Sequence, residues 1–359
     1  MSENDGTARS VGLGGFDWSD PDPAPPAPRR RGVGPGALAL RFAALLGALL
    51  VVVGTGFAYA LTTSVTDDIE VMPATMLDGI GPRPAARATG ATGPAVTLLI
   101  GSDRGQADSP GDVPGDKADT IMLIRQSGDS SHAEVLSISR DSVVDVPGHG
   151  TEKINNTLAQ GGVPLVVQTV EGLTGVRVDH VMVVDFRALA DITTALGGVT
   201  VVNPTTTTDP LSRQTFAAGN LTLQGQRAVA FVRQRVALGN DDIDRVLNQQ
   251  RLLAAIAAKI STIDVLKDPA QLMRVINTVT SNLTVDATLT NDTLQALLRN
   301  LVSTPKDKVS FYLAPVKSKS SAAGGAPVLT LDVDALKAAA QAINTDKPVS
   351  LEKQKILGG

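Results

Sequence analysis

The chain has no cysteine in 359 residues. Disulfide scaffolds, thiolate zinc sites and thiol nucleophiles are therefore excluded, while the redox compartment stays open. Histidine is almost as scarce, with three residues. His132 falls in a hairpin, His149 in a glycine turn and His180 at a strand start, with no metal-ligand spacing among them. Aromatic residues make up 3% of the chain, and the formal net charge is -4, so there is no overall basic field of the kind nucleic acid requires. No Walker A sequence and no G-x-S-x-G elbow occurs.

One long apolar run is present. Phe42 to Leu61 reads FAALLGALLVVVGTGFAYAL, twenty residues without a charge. At about 1.5 Å per residue such a helix spans roughly 30 Å of bilayer. Arg29, Arg30, Arg31 and Arg41 precede it and Asp67, Asp68 and Glu70 follow. The positive-inside rule then puts the N-terminus in the cytoplasm and the bulk of the chain outside the cell membrane, in a single pass. A cleaved signal peptide competes, since Ala58-Tyr59-Ala60 fits a small-residue cleavage pattern. The length of the run and of the tail before it favours a retained anchor.

The expected organisation is a disordered cytoplasmic tail over 1–37, a transmembrane helix over 38–61, an extracellular linker over 62–94, a folded domain over 95–345 and a C-terminal tail over 346–359. AVTLLIG (95–101), TIMLIR (120–125), AEVLSIS (133–139), DHVMVVD (179–185), VTVV (199–202) and VSFYLAP (309–315) read as strands. The second and third join as a hairpin across QSGDSS. Helical spacing marks 164–175, 186–198, a helix starting near Asp241 and Asp242, NDTLQALLRNLV and LDVDALKAAAQAI. SKSSAAGGAP (318–327) reads as a loop and EKQKILGG as a frayed end. Strands alternating with helices predict a sheet covered by helices, of α/β or α+β type.

Charge is concentrated in Val232 to Arg251, VRQRVALGNDDIDRVLNQQR, with four arginines and three aspartates. Asp242, Arg245 and Gln249 share one helix face, which Leu252 and Ile256 continue. Arg233 and Arg235 fall on one side if their segment is extended. Several fixed guanidinium groups facing one hollow suit a ligand with many anionic oxygens. Surface i,i+4 pairs such as Asp241 with Arg245 are the plainer explanation. Asp103 in GSDRG and Asp119 in KADT can meet at adjacent strand ends, where paired carboxylates suit Mg²⁺, or can be ordinary turn formers. Arg140 ends another strand in SISRDS.

Taken in order, LLIGSDRG, KADTIMLI, SISRDS, GHGTEKINNTLAQGG, VDHVMVVDF, ITTALGGVTV, FAAGNLTLQGQRAVAFVRQR and DIDRVLNQQ resemble the LytR-CpsA-Psr family of cell-envelope enzymes. The resemblance covers roughly 95–260 and continues more weakly to about 345. It implies an α/β/α sandwich around a mixed central sheet, preceded by one transmembrane helix, with an apolar cleft for a polyprenyl chain. The implied activity is Mg²⁺-dependent transfer of a glycopolymer from a polyprenyl pyrophosphate carrier to peptidoglycan, with pyrophosphatase activity as a companion. By position, Asp103 and Asp119 would serve the metal, Arg140, Arg233, Arg235, Arg245 and Gln249 would clasp the pyrophosphate, and Arg140, Asp242 and Arg245 would be catalytic. Asp242 could take the acceptor proton or orient Arg245. Arabinogalactan-type polymer, teichoic acid and capsule all remain open. Lys117, Ser139, Asp244 and Asn248 depart from the family pattern, the last by lacking a cation. The competing function is a noncatalytic envelope sensor that binds lipid-linked precursors or glycan, which would have no need of metal carboxylates.

Overall fold

The computed structural model describes residues 70–86, 95–103, 116–127, 129, 131–234, 238, 242–260, 274, 278, 282–289, 308–322 and 327–354. The predicted transmembrane helix, Arg235 and the helical reading of NDTLQALLRNLV lie outside them. Among the described residues no helix is long and apolar enough to cross a membrane.

A seven-stranded mixed sheet organises the chain. Its strands are β1 (Glu70–Val71), β2 (Ala95–Ser102), β3 (Ala118–Gln126), β4 (Ala133–Ile138), β5 (His180–Asp185), β6 (Leu283–Val285) and β7 (Val309–Leu313). Their spatial order is β1-β6-β5-β2-β3-β4-β7. β3 runs antiparallel to both its neighbours, β2 and β4, with Leu98 opposite Leu123 and Leu123 opposite Leu136, whereas β2 with β5 and β4 with β7 are parallel. The central strands are apolar on both faces, as strands covered on both sides must be. Val96, Leu98 and Ile100 enter one core and Leu99 packs against the other.

Helices build the two outer layers. α1 (Thr157–Thr174) and α5 (Val333–Asn344) cover the face of Val96, Leu98 and Ile100. The opposite face is covered by α2 (Phe186–Ala195), α3 (Gln226–Arg233) and α4 (Asp242–Ile260). The α/β/α arrangement is thus present around a mixed sheet. A second, four-stranded sheet orders Val316–Ser321, Pro327–Leu331, Ser142–Val146 and Gly150–Lys153 side by side.

Several sequence expectations need correction. The helix expected over 164–175 is present as the main part of α1; a short helical stretch from Thr157 precedes it, separated by the non-helical Gly161 and Gly162, the latter at φ 62°, just before Pro164. Gly175 ends it in the left-handed region at φ 68°, its N–H donating to the Glu171 carbonyl. α2 stops at Ala195 rather than 198; Asp185 caps its start by accepting from the Ala188 N–H at 2.7 Å. The polar stretch from Ser318 forms part of a strand, since its partner Pro327–Leu331 supplies the ladder that its own composition does not advertise. In the expected frayed end, the Gln354 N–H donates to the Phe311 carbonyl at 2.8 Å.

The segment 70–86, expected as linker, packs on the domain. β1 pairs in parallel with β6, and Met72 and Ile80 are buried in the core beneath α1. Arg83 grips the buried Glu171 of α1 through two nitrogens, at 2.9 and 2.7 Å, and donates to the Val178 carbonyl.

Candidate active site

The site lies where β2 leaves the sheet and β3 enters it. A register shift between Gly101 and Ser102 marks the place, and such irregularities re-aim side chains at strand ends. Gly101 sits opposite Thr120. A Cβ there would come within 2.7 Å of the Thr120 Cβ, so only glycine lets the strands close. Asp103 follows directly, its Oδ1 accepting from the Lys117 N–H at 2.8 Å. Asp103 and Asp119 are both buried, and each feels the other's charge.

Asp119 is the electrostatic centre. Burial pushes its carboxyl up to about 7; the Arg245 and Arg233 charges pull the other way, and Asp103 and Asp141 reinforce the rise. Arg140, from the turn after β4, donates to its Oδ1 at 2.5 Å. Gln249 of α4 donates to its backbone carbonyl at 3.2 Å. Arg245 of the same helix lies 3.1 Å from Asp242, one turn back, and 3.8 Å from Asp141. The helix face predicted from the spacing of 242, 245 and 249 is thus the face turned to the site.

Arg233 reaches the site differently from the expectation. It is the last residue of α3, not part of an extended segment, because Ala228, Val229, Phe231 and Val232 bury one face of a helix there. Its guanidinium stacks 5.2 Å above the Phe186 ring. Two participants were missed in the sequence. Asp141 is buried beside Arg140, and Lys153 ion-pairs with it at 2.7 Å. An acidic residue next to Arg140 at a strand end was the available signal for Asp141. Lys153 offered none, since its neighbour is 12 positions away.

Next to this cluster an apolar cavity of about 110 Å³ lies between the sheet and α2–α4. Leu99, Met122, Met182, Phe186, Leu252 and Ile256 form much of its wall. Thr120 and Gln249 form part of its lining beside Asp119. Leu252 and Ile256 therefore continue the polar face of α4 into a cavity, and are more than ordinary core.

Within the described part of the cluster, Arg140, Lys153, Arg233 and Arg245 stand against Asp103, Asp119, Asp141 and Asp242. Among the described residues no three His, Asp or Glu side chains are grouped to hold a metal. Asp103 and Asp119 alone fit a cation that takes one or two carboxylates and fills its remaining positions with phosphate and water oxygens, which is the habit of Mg²⁺. The histidines stand elsewhere: His180 bonds Thr288 and His132 pairs with Asp346 and Glu134.

Fold and site together define an α/β/α protein in which an apolar cavity ends at a cluster of buried arginines and carboxylates. The LytR_cpsA_psr family profile matches residues 73–345, and the chain belongs to that family. It is similar to cell wall biosynthesis protein LcpA of Corynebacterium glutamicum, 30% identical across 81% of this chain and 62% of that protein. It also resembles the polyisoprenyl-teichoic acid–peptidoglycan teichoic acid transferase TagU of Bacillus licheniformis, 31% identical across 54% of this chain and 61% of the relative. The chain thus spans less than two thirds of either relative's length. The crystal structure of B. subtilis TagV has the same fold, with a TM-score of 0.58, 21% identity, and coverage of 72% of this chain and 99% of TagV.

Proposed function

We propose that this chain is a membrane-anchored, extracytoplasmic transferase that moves a cell-wall glycopolymer from a polyprenyl pyrophosphate carrier to peptidoglycan. The observation that carries this reading is the adjacency of cavity and cluster: Thr120 and Gln249 line the apolar cavity, and Gln249 donates to the backbone carbonyl of Asp119, which pairs with Arg140. The names of the relatives support it, since LcpA is a cell wall biosynthesis protein and TagU a transferase of teichoic acid to peptidoglycan. The polymer is of arabinogalactan, teichoic acid or capsule type. The anchor over 38–61 would keep the site, outside the cytoplasm, beside lipid-borne donors.

Phosphoryl transfer asks a protein mainly to position reactants and to neutralise charge on the phosphate oxygens. Arg140, Arg233, Arg245 and Gln249, with Arg235 from outside the described residues, would hold the pyrophosphate. Asp103 and Asp119 would hold Mg²⁺, which when bound supplies Lewis-acid neutralisation of the phosphate oxygens. A peptidoglycan hydroxyl, the 6-hydroxyl of N-acetylmuramic acid, attacks the sugar-proximal phosphorus. The bond from that phosphorus to the bridging oxygen breaks, and polyprenyl phosphate leaves with the electron pair. Water in place of the sugar hydroxyl would give pyrophosphatase activity. In a loose transfer the acceptor proton is lost late, passing to an oxygen of the departing polyprenyl phosphate, and no strong base is needed. Asp242, 3.1 Å from Arg245, therefore serves to orient that arginine.

The test is turnover by the full chain in detergent, using a short prenyl pyrophosphoryl sugar. Release of prenyl phosphate with MgCl₂ and its loss in EDTA are expected. Tight binding without any release would instead support the envelope sensor.

A further inference from the structure

The geometry points to Asp141 as a positioning residue for this site: one buried carboxylate that holds cations from three separate elements in register around the phosphate position. The inference rests on the transferase reading above for its chemistry, though not for its geometry. Lys153, at the end of the strand Gly150–Lys153, pairs with the Asp141 Oδ1 at 2.7 Å. Arg140, from the turn after β4, brings its Nε to 3.5 Å of Oδ2, and Arg245, from the first turn of α4, brings Nη2 to 3.8 Å of the same oxygen. Asp141 is 2% exposed, so these attractions act where solvent screening is weak.

The turn does not need this side chain to form. Its backbone is fixed by Ser142 N–H to Ser139 O at 3.1 Å, Asn155 N–H to Arg140 O at 3.2 Å and Leu329 N–H to Asp141 O at 3.0 Å. What the carboxylate adds is a common point for three long, flexible cations, two of which, Arg140 and Lys153, come from elements on either side of the strand Ser142–Val146. Replacing it with an isosteric amide keeps the volume, removes the anchor and leaves the cluster with one excess positive charge. Anion affinity should then hold or rise while turnover falls, because the cations are present but misplaced. Loss of a merely structural carboxylate would lower stability and affinity together.

The experiment uses the full chain in detergent as wild type, Asp141→Asn and Asp141→Glu. Three readouts are taken: turnover of farnesyl pyrophosphoryl-N-acetylglucosamine with MgCl₂, binding of inorganic pyrophosphate, and acetylation of Lys153 by acetic anhydride followed by peptide mass spectrometry. For Asp141→Asn, turnover falls about 100-fold, the Kd for pyrophosphate is equal or lower, and Lys153 is acetylated several-fold faster. Asp141→Glu restores the protection of Lys153 and much of the turnover. Unchanged Lys153 reactivity in Asp141→Asn, or turnover within about threefold of wild type, overturns the proposal, as does weakened pyrophosphate binding in parallel with lost thermal stability. A wild-type chain that releases no prenyl phosphate sinks the transferase reading alone, and the labelling and binding results still decide the role of Asp141.

Discussion

Arg245 draws together the two halves of the site, with one nitrogen against Asp242 and Asp141 and a charge that acts on Asp119. Arg245→Ala should lower kcat by about 100- to 1000-fold, the usual loss when one charge-stabilising donor is removed; a variant that turns over like wild type would contradict the assignment. Asp242→Asn is the sharper probe of mechanism. If Asp242 orients Arg245, the substitution reduces kcat by roughly tenfold or more and leaves the acidic limb of the pH–rate profile in place. Disappearance of that limb would make Asp242 the general base instead.

At the scale of elements, the segment before β2 and the wall of the cavity carry the consequences. Arg83 and Glu171 form an ion pair with side-chain exposures of 11% and 2%. Arg83→Ala leaves Glu171 buried with one cation fewer, and a loss of about 3 kcal/mol is expected in urea unfolding; a change too small to measure would mean that this ion pair contributes nothing to the fold. Leu252→Trp should fill the cavity beside Gln249. KM for a long prenyl donor should rise about tenfold or more, with a smaller effect on a short one and an overpacking cost of about 1–3 kcal/mol. Equal effects on both donors would argue that the chain binds elsewhere.

These elements also show what could be read in the sequence. β2, β3, β4 and β5 were legible because strands buried on both faces are continuous runs of Val, Ile and Leu. The 242, 245, 249 face was legible because helical periodicity is local. The pairing of β1 with β6 was not, since residues 70–71 meet 284–285 and no local signal reports so distant a partner. Composition marked 62–94 as linker, yet Arg83 is held by a residue 88 positions away. Asp141 and Lys153 escaped for the same reason: their importance lies in where the second sheet brings them. The part of the strand from Ser318 to Ser321 looked like loop because its exposed, polar edge position removes the apolar alternation.

The whole molecule offers a pH signature away from the site. Burial lowers the pKa of His180, against the pull of Asp286 and Asp179, and its Nδ1 bonds the Thr288 hydroxyl at 2.8 Å. A histidine held neutral in the fold gives stability that is intact above the ordinary imidazole value of about 6.5 and is lost as pH falls below it, because the unfolded chain takes up the proton first. The midpoint at pH 7.5 minus that at pH 5.5 should be less positive, or more negative, for His180→Gln than for wild type, because the opposite contribution of Asp119 is common to both. An identical pH dependence in the two proteins would assign the slope to other groups.

The central claim is that one molecule, a prenyl pyrophosphate, occupies cavity and cluster at once. The most direct measurement is an electron-density map of the full chain with such a lipid and MgCl₂. Phosphorus density between Arg140, Arg233 and Arg245, with the prenyl chain running past Leu252 and Ile256, is the expected result. Lipid density on another surface, with the cavity closed and the arginines turned to Asp119, Asp141 and Asp242 alone, would contradict it.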